Sequence, residues 1–547
     1  MDTTLNGSTR VPPDPEGAGV ELDGRGLTVP DVVRLADAAA APAVPPEALD
    51  RARHSWQAAA RLAGAGRLYG RGTGVGAHRS VPVAAQDEAE HGLRLLRSHA
   101  GGAGTLLPAR QVRAMLAVRA NQLLAGGSGI QPAFVTALTD ALRLGVHPAV
   151  SEYGGLGTGD LTALAQTGLT LIGERPWLTD RPERSGPPVG HDGGPPPTEA
   201  GFLPPGFPVQ RRGAVPGTEP GPTADAAPAG PSSPLPAPVV PQPGDALALL
   251  SSNALTLGLA ALACHHLEVL LRATHAVAAL SLAGVSGSLE AYAPEVHALR
   301  PYPGVAHAAA EVRRLLGVPG RPYGAGRRIQ DPFGFRSFPQ AHGPALDAAG
   351  ALRRIVEVEI NCPSENPLIS ADGTAAHHHG AFYAAPLGLA LDGLNLAVLQ
   401  TAQLSAARLT ALGRSDLTGL PGFLATGPAS SSGAMILEYT ANSALAELRS
   451  CATPASAGHA VLSHGLEEAA SFASQAARQS LRAVDAYTTV LACELVTAVR
   501  ALRLHPSPPP VPVFTVPAAV LPAGTEDRPL TADVAAAAEL LPVLADL

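Results

Sequence analysis

Two glycine-rich stretches and a run of histidines hold the residue types that could do chemistry in this chain. The stretch "GGLGTGDLTALA" places Gly154, Gly155, Gly157 and Gly159 immediately before Asp160 and an apolar-periodic run. Glycine admits positive φ and lets other groups approach the backbone closely, at an entropic cost. Three roles fit that density: a flexible turn, a phosphate cradle at a helix start, or a backbone compressed enough to react with itself. "YGRGTGVGAH", from Tyr69 to His78, is a second stretch of the same kind. His377, His378 and His379 invite a metal, but adjacent histidines diverge and no acidic partner is spaced to join them, so none is expected. Cys264, Cys362, Cys451 and Cys493 lie far apart without a CxxC pair. Neither a disulfide framework nor a zinc knuckle is expected from them, and a reducing cytoplasm is.

A phosphate cradle needs a strand before its glycines and usually an acidic residue about twenty positions after them. "RLGVHPAVSEY", ahead of Gly154, reads as turn, and no βαβ pattern surrounds either stretch. The chain also contains no lysine, so all 38 basic residues are arginine. That excludes a Walker-type phosphate loop and a pyridoxal Schiff base together. Net charge is −8 without blocks of like charge, which argues against a nucleic-acid partner. The N-terminus is polar and lacks an apolar secretory core. "LALLSSNALTLGLAALACHHLEVLL" is apolar but broken by polar residues, so it reads as buried bundle helix and not as a membrane span.

The elements that must position these residues are predominantly helical. The apolar fraction is 46% and rich in alanine, and the charged fraction is only 15%. Residues 1–25 read as disordered, and 26–180 as an N-terminal active-site region in which "LTVPDVVRLADAAA" enters a helix near Asp31. Residues 181–244 form a Pro/Gly-rich insertion whose prolines forbid helix interiors. Residues 245–504 read as a long-helix bundle, and 505–547 as an extension ending in a helix capped by Thr531. Tyr383–Leu412 is nearly unbroken helical pattern with Pro386 in its first turn. Ser463–Leu504 lacks proline, and lacks glycine after Gly465. A continuous helix there would run about 60 Å, a length that suggests a bundle shared between subunits.

Taken together, "LYGRGTGVG", "RSHAGGAGTLLPARQVRAMLAVRANQLLAGGSGIQP", "LGVHPAVSEYGGLGTGDLTALA", "LLSSNALTLGLAAL", "IQDPFGFRSFPQ", "EINCPSENPL" and "GLEEAASF" resemble, in order, the aromatic amino acid ammonia-lyases. The resemblance is to the histidine ammonia-lyases in particular and spans about Gly26 to Leu504. It implies a mainly α fold, a homotetramer, and carbon–nitrogen lyase activity on histidine or a related amino acid. In that family an Ala-Ser-Gly tripeptide cyclises and dehydrates to a methylidene-imidazolone, an electrophile toward the substrate. Tyr69 matches the catalytic tyrosine that removes the substrate's β-proton, and Ser98-His99 the selectivity pair in its histidine-lyase form. Arg336 matches the arginine that grips the substrate carboxylate, Glu467 a late acidic residue beside the substrate, and Asn121 lies in a motif packed near the site. Phe382 falls among the substrate-side positions.

Other positions depart from the family pattern. The triad reads Gly157-Thr158-Gly159 in a loop one residue short, and dehydrated Thr158 would carry a methyl at the point of attack. Ser251 stands in place of an asparagine that contacts the cofactor, Phe333 in place of a tyrosine, Leu466 of a glutamine and Ala381 of an asparagine. The expectation is therefore either no cofactor or, less favoured, a variant imidazolone from Gly157, Thr158 and Gly159. Two other readings stay open beside the lyase. One is a cofactor-independent acid–base enzyme of specialised metabolism, and the other a non-catalytic ligand-binding scaffold.

Overall fold

The computed structural model describes residues 19–66, 68–179, 227–228, 234–318, 328–506 and 511–547. Its first part alternates short strands with helices. β1 (Val20–Glu21) pairs in parallel with β2 (Pro42–Ala43), flanking α1 (Val29–Ala36) and leading into α2 (Pro46–Ala65). There follow α3 (Glu88–His99), β3 (Ala103–Leu106), α4 (Ala109–Leu124), α5 (Pro132–Leu144), β4 (Val146–Pro148) and β5 (Ser151–Tyr153). α6 (Leu161–Leu171), β6 (Trp177–Thr179) and β7 (Ala227–Pro228) close this part.

The second part is helical. It comprises α7 (Asp245–Leu250), α8 (Ala254–Gly284), α9 (Pro294–Ala298), α10 (Pro303–Leu315), α11 (Phe333–Arg336) and α12 (Phe338–Glu359). After the β8 (Leu368–Ile369) and β9 (Ala376–His377) hairpin come α13 (Ala385–Leu412), α14 (Ser415–Thr418), α15 (Ile436–Cys451) and α16 (Ala473–Leu504). α17 (Thr515–Val520) and α18 (Thr531–Ala545) complete the chain.

α8 is the axis of the core. Nearly all of its side chains are buried, against α16, α4, α18, α12 and α10, so the apolar run is a bundle helix enclosed by its own chain. Its alanines let neighbouring helices approach closely, and ridges of Leu and Val fill the grooves. The buried charges are matched. Arg408 donates Nε to Glu494 Oε1 (2.6 Å) and Nη2 to Oε2 (2.8 Å), while Ser281 and Ser405 add hydroxyl donors. That cluster ties α8, α13 and α16 together, because a carboxylate taken out of water needs every lone pair satisfied.

Four expectations are corrected here. The helix expected over 463–504 begins only at Ala473; Ser463, His464 and Phe472 adopt left-handed φ, and the intervening turn carries Glu467. Glu467 and Glu468 thus precede the helix and do not open it. Thr531 is the first residue of α18 and makes no capping bond; Asp533, paired with Arg528 (2.6 Å), supplies the negative charge favoured at that end. The segment read as turn before Gly154 contains β5, but β5 pairs antiparallel with β3, so no βαβ cradle results. The N-terminal segment expected to be disordered is ordered at β1, and residues 1–18 lie outside the described residues. So does most of the 181–244 insertion.

Candidate functional site

A cavity of about 590 Å³ opens where the first part meets α7 and the turn after it. Its wall includes Tyr69, Ser98, His99, Thr158, Gly159, Ser251, Phe382 and Glu467. Residues separated by hundreds of positions converge because five loops and the end of α3 face one another.

Tyr69 sits in a tight loop closed by bridges from Leu68 to Arg71 and from Thr73 to Pro82. The Gly76 N–H donates to Tyr69 Oη (2.7 Å), and the Ala77 N–H donates to Ser463 Oγ (3.0 Å). The second bond docks this loop on the Ser463–Glu467 turn and so brings Glu467 to the tyrosine. Burial, with Glu467 adding to it, holds the Tyr69 hydroxyl above its ordinary range, opposed by the Gly76 N–H and by Arg79. The group is therefore a phenol at neutral pH until a positive charge arrives.

Ser98 and His99 end α3. His99 Nδ1 lies 3.0 Å from the Leu95 carbonyl, which only accepts, so in the neutral ring Nδ1 carries the proton and Nε2 is left as an acceptor. Ser98 Oγ also donates to the Leu95 carbonyl (3.1 Å). An acceptor nitrogen on the cavity wall suits a substrate that presents an N–H.

The loop carrying Gly157-Thr158-Gly159 is fixed in part by Ser471 and Asn253, which the sequence reading did not single out. Gly157 (φ 78°) and Gly159 (φ 114°) take backbone conformations that L side chains rarely adopt. The Gly157 carbonyl accepts from Ser471 Oγ (2.9 Å), and the Gly159 N–H donates to Asn253 Oδ1 (3.0 Å). Asn253 in turn donates to the Phe382 carbonyl (2.6 Å), which sets Phe382 beside the loop. Asp160, fully buried, accepts from the Thr256 N–H (2.8 Å) and hydroxyl (2.9 Å), and burial pushes its carboxyl up to about 6. The signal for Asn253 was in the sequence: a polar amide at the start of a long apolar helix needs a specific partner.

These three residues do not fit a methylidene-imidazolone. Water loss from Thr158 would leave an ethylidene, with a methyl on the reacting carbon. A Cβ at Gly157 would lie 2.0 Å from Ser471 Oγ, so the loop as packed has no room for the family's alanine.

Four predicted residues, Gly157, Asn121, Phe333 and Arg336, are not in the cavity wall. Asn121 is a correction: its Oδ1 accepts from the Gly24 N–H (2.8 Å), and its amide donates to the Ile360 carbonyl (2.8 Å) and Asn361 Oδ1 (2.9 Å). Every polar atom of Asn121 is used to pin the N-terminal segment, and it has none left for a substrate. Its neighbour Arg119 is equally structural, paired with Glu365 (2.8 Å) and donating to the Leu249 carbonyl (3.2 Å) beneath Ser251. Arg336 and Phe333 sit on α11, with the guanidinium 4.3 Å from the Phe333 ring centroid, outside the cavity of their own chain. The three adjacent histidines have separate tasks. His378 accepts from the Tyr69 N–H (3.4 Å), and His379 bonds the Glu365 carbonyl (2.8 Å) and the Ala381 N–H (3.0 Å).

The family model described as aromatic amino acid lyase matches residues 27–519. Histidine ammonia-lyase of Anaeromyxobacter dehalogenans is 33% identical over 530 residues, covering 95% of this chain and 98% of its own. That of Bacillus subtilis is 29% identical over 522 residues, covering 94% and 95%. Among solved structures, histidine ammonia-lyase of Trypanosoma cruzi aligns with a TM-score of 0.81 at 25% identity, covering 96% of this chain and 94% of its own. Tyrosine aminomutase of Streptomyces globisporus aligns with the same TM-score, 0.81, at 25% identity, covering 96% and 97%.

Proposed function

The chain belongs to the aromatic amino acid lyase family, and on that premise we propose that it releases ammonia from histidine or a related amino acid. The observation that carries this reading is the meeting of Tyr69, Ser98, His99 and Glu467 in one cavity. Relatives of this kind favour ammonia release over a different acid–base reaction and over a non-catalytic scaffold.

The roles follow from chemistry. Elimination breaks Cβ–H and Cα–N and forms a Cα–Cβ double bond, so a base must face Cβ and the nitrogen must leave from its ammonium form, as ammonia. Tyr69 is the base. The substrate's ammonium, bound between Tyr69 and Glu467, supplies the positive charge that lowers the phenol toward ionisation. Glu467 holds that ammonium and takes the proton that Tyr69 releases on ionising; the phenolate then takes the Cβ proton, and the nitrogen leaves as ammonia with the Cα–N electron pair. His99 Nε2 accepts from a ring N–H of the substrate, which favours an imidazole over a plain phenyl ring.

In this family the cyclised triad supplies an electrophile for the substrate. Because Thr158 does not fit the methylidene form, Gly157-Thr158-Gly159 is proposed to remain an open peptide, with Thr158 as a polar wall residue. Two measurements on one preparation test the proposal. Incubation with L-histidine should release ammonia and an unsaturated acid in equal amounts, and the intact chain should show its unmodified mass. A loss of two waters mapped to the Thr158 peptide would overturn the open-loop reading. Absence of ammonia release across histidine and its ring analogues would overturn the lyase.

A further inference from the structure

The cavity extends well beyond the residues that the proposed elimination uses. α3 presents one face to it: His91, Arg94, Leu95, Ser98 and His99, at helical spacing. Eight residues separate His91 from His99, about 12 Å along the helix axis at 1.5 Å per residue, longer than a histidine side chain. A substrate held by Ser98 and His99 alone leaves the His91 end of the cavity unfilled.

That end is basic. Among the described residues lining the cavity, Glu467 carries the one carboxylate, and its charge acts on Tyr69. His91 Nε2 is buried and has no hydrogen-bond partner. Burial first, and Arg94 second, hold His91 below its ordinary range against an opposing pull from Glu88, so the ring is neutral. A neutral imidazole has one proton to give, and an anion beside Nε2 would fix it there. Arg94 is paired with Glu90 (3.3 Å), but both side chains are more than half exposed and Glu90 does not line the cavity. An exposed pair one helical turn apart is weak and gives way to a better-placed anion.

We infer that His91 and Arg94 form a second subsite, one that takes an anionic group at the far end of an amino acid's side chain. The guanidinium fork binds a carboxylate or similar planar anion, and the His91 ring donates the accompanying hydrogen bond. The preferred substrate is then an aromatic or heteroaromatic amino acid extended by an acidic group. This inference rests on reading the cavity as the amino acid site, and the experiment separates the two.

The probes are 4-carboxy-L-phenylalanine and L-phenylalanine, titrated calorimetrically into the full chain at neutral pH. The carboxylated probe should bind at least tenfold more tightly. Arg94→Gln should remove that preference while leaving L-phenylalanine affinity within about twofold, and His91→Ala should reduce it partway. The Arg94 side chain is more than half exposed, and circular dichroism of each variant checks folding. Equal binding of the two probes to the native chain, or a preference surviving in Arg94→Gln, overturns the subsite. Failure of both probes and of L-histidine, titrated beside them, to bind overturns the cavity as an amino acid site, and this inference with it.

Discussion

Asp160 shows how a single residue links loop geometry to stability. It follows Gly159 directly, and its carboxylate holds the Thr256 N–H and hydroxyl in a fully buried position. Its folded value of about 6 stands above an unfolded value of about 3.9. Between those values the folded state binds more protons than the unfolded one, so stability falls as pH rises from about 4 to 6 and stays lowered above. Asp160→Asn keeps one acceptor and removes the titration. Chemical denaturation at pH 4 and pH 7 should therefore show the variant gaining on the native chain by on the order of 2 kcal/mol between the two. A difference that does not change with pH would contradict the assignment. Residues of this sort were only partly legible in the sequence. Tyr69, Ser98, His99, Thr158 and Glu467 stood out because their motifs keep their order along the chain. Ser471 and Asn253 did not, since nothing in a lone serine or asparagine says which backbone group, hundreds of residues away, it will hold.

At the scale of elements, the helices were readable where composition alone decides them. α13 runs from Ala385 to Leu412 with Pro386 in its first turn, as the pattern requires. The start of α16 was not readable, because the turn before it depends on left-handed backbone at Ser463, His464 and Phe472, all residues without a glycine's signature. What positions the helices against one another is the buried Arg408–Glu494 pair, whose Arg408 Nη1 also donates to the Gly334 carbonyl (3.1 Å) and so anchors α11. Glu494→Gln would leave Arg408 buried and uncompensated. It should cost about 3–5 kcal/mol in equilibrium denaturation. A loss below about 1 kcal/mol would mean that the pair is not the clamp described.

At the scale of the whole molecule, two features fit the homotetramer that the resemblance implies. Long helices expose large apolar side chains, among them Leu389 and Leu396 on α13, Val358 on α12, and Ile436 and Tyr439 on α15. Arg336, the expected carboxylate anchor, stands away from the cavity of its own chain, with its Nε buried and unpartnered. A tetramer that sets α11 of one protomer over the cavity of another accounts for both. If it forms, mixing and reassembling inactive Tyr69→Phe and Arg336→Ala chains should recover up to about a quarter of native turnover, because some sites then draw both native residues from different chains. A monodisperse monomer in light scattering, or no recovery on mixing, would contradict shared sites.

The base assignment to Tyr69 is the claim on which the functional account turns. Tyr69→Phe removes one hydroxyl and almost no volume, so the fold and ligand binding should persist. The measurement is the steady-state rate of ammonia release from the amino acid that the native chain turns over best, compared between the native and Tyr69→Phe chains at matched folding. The predicted result is a fall in kcat of at least ~10²-fold with KM changed little, as expected when a general base is lost. Near-native turnover by Tyr69→Phe would contradict the account.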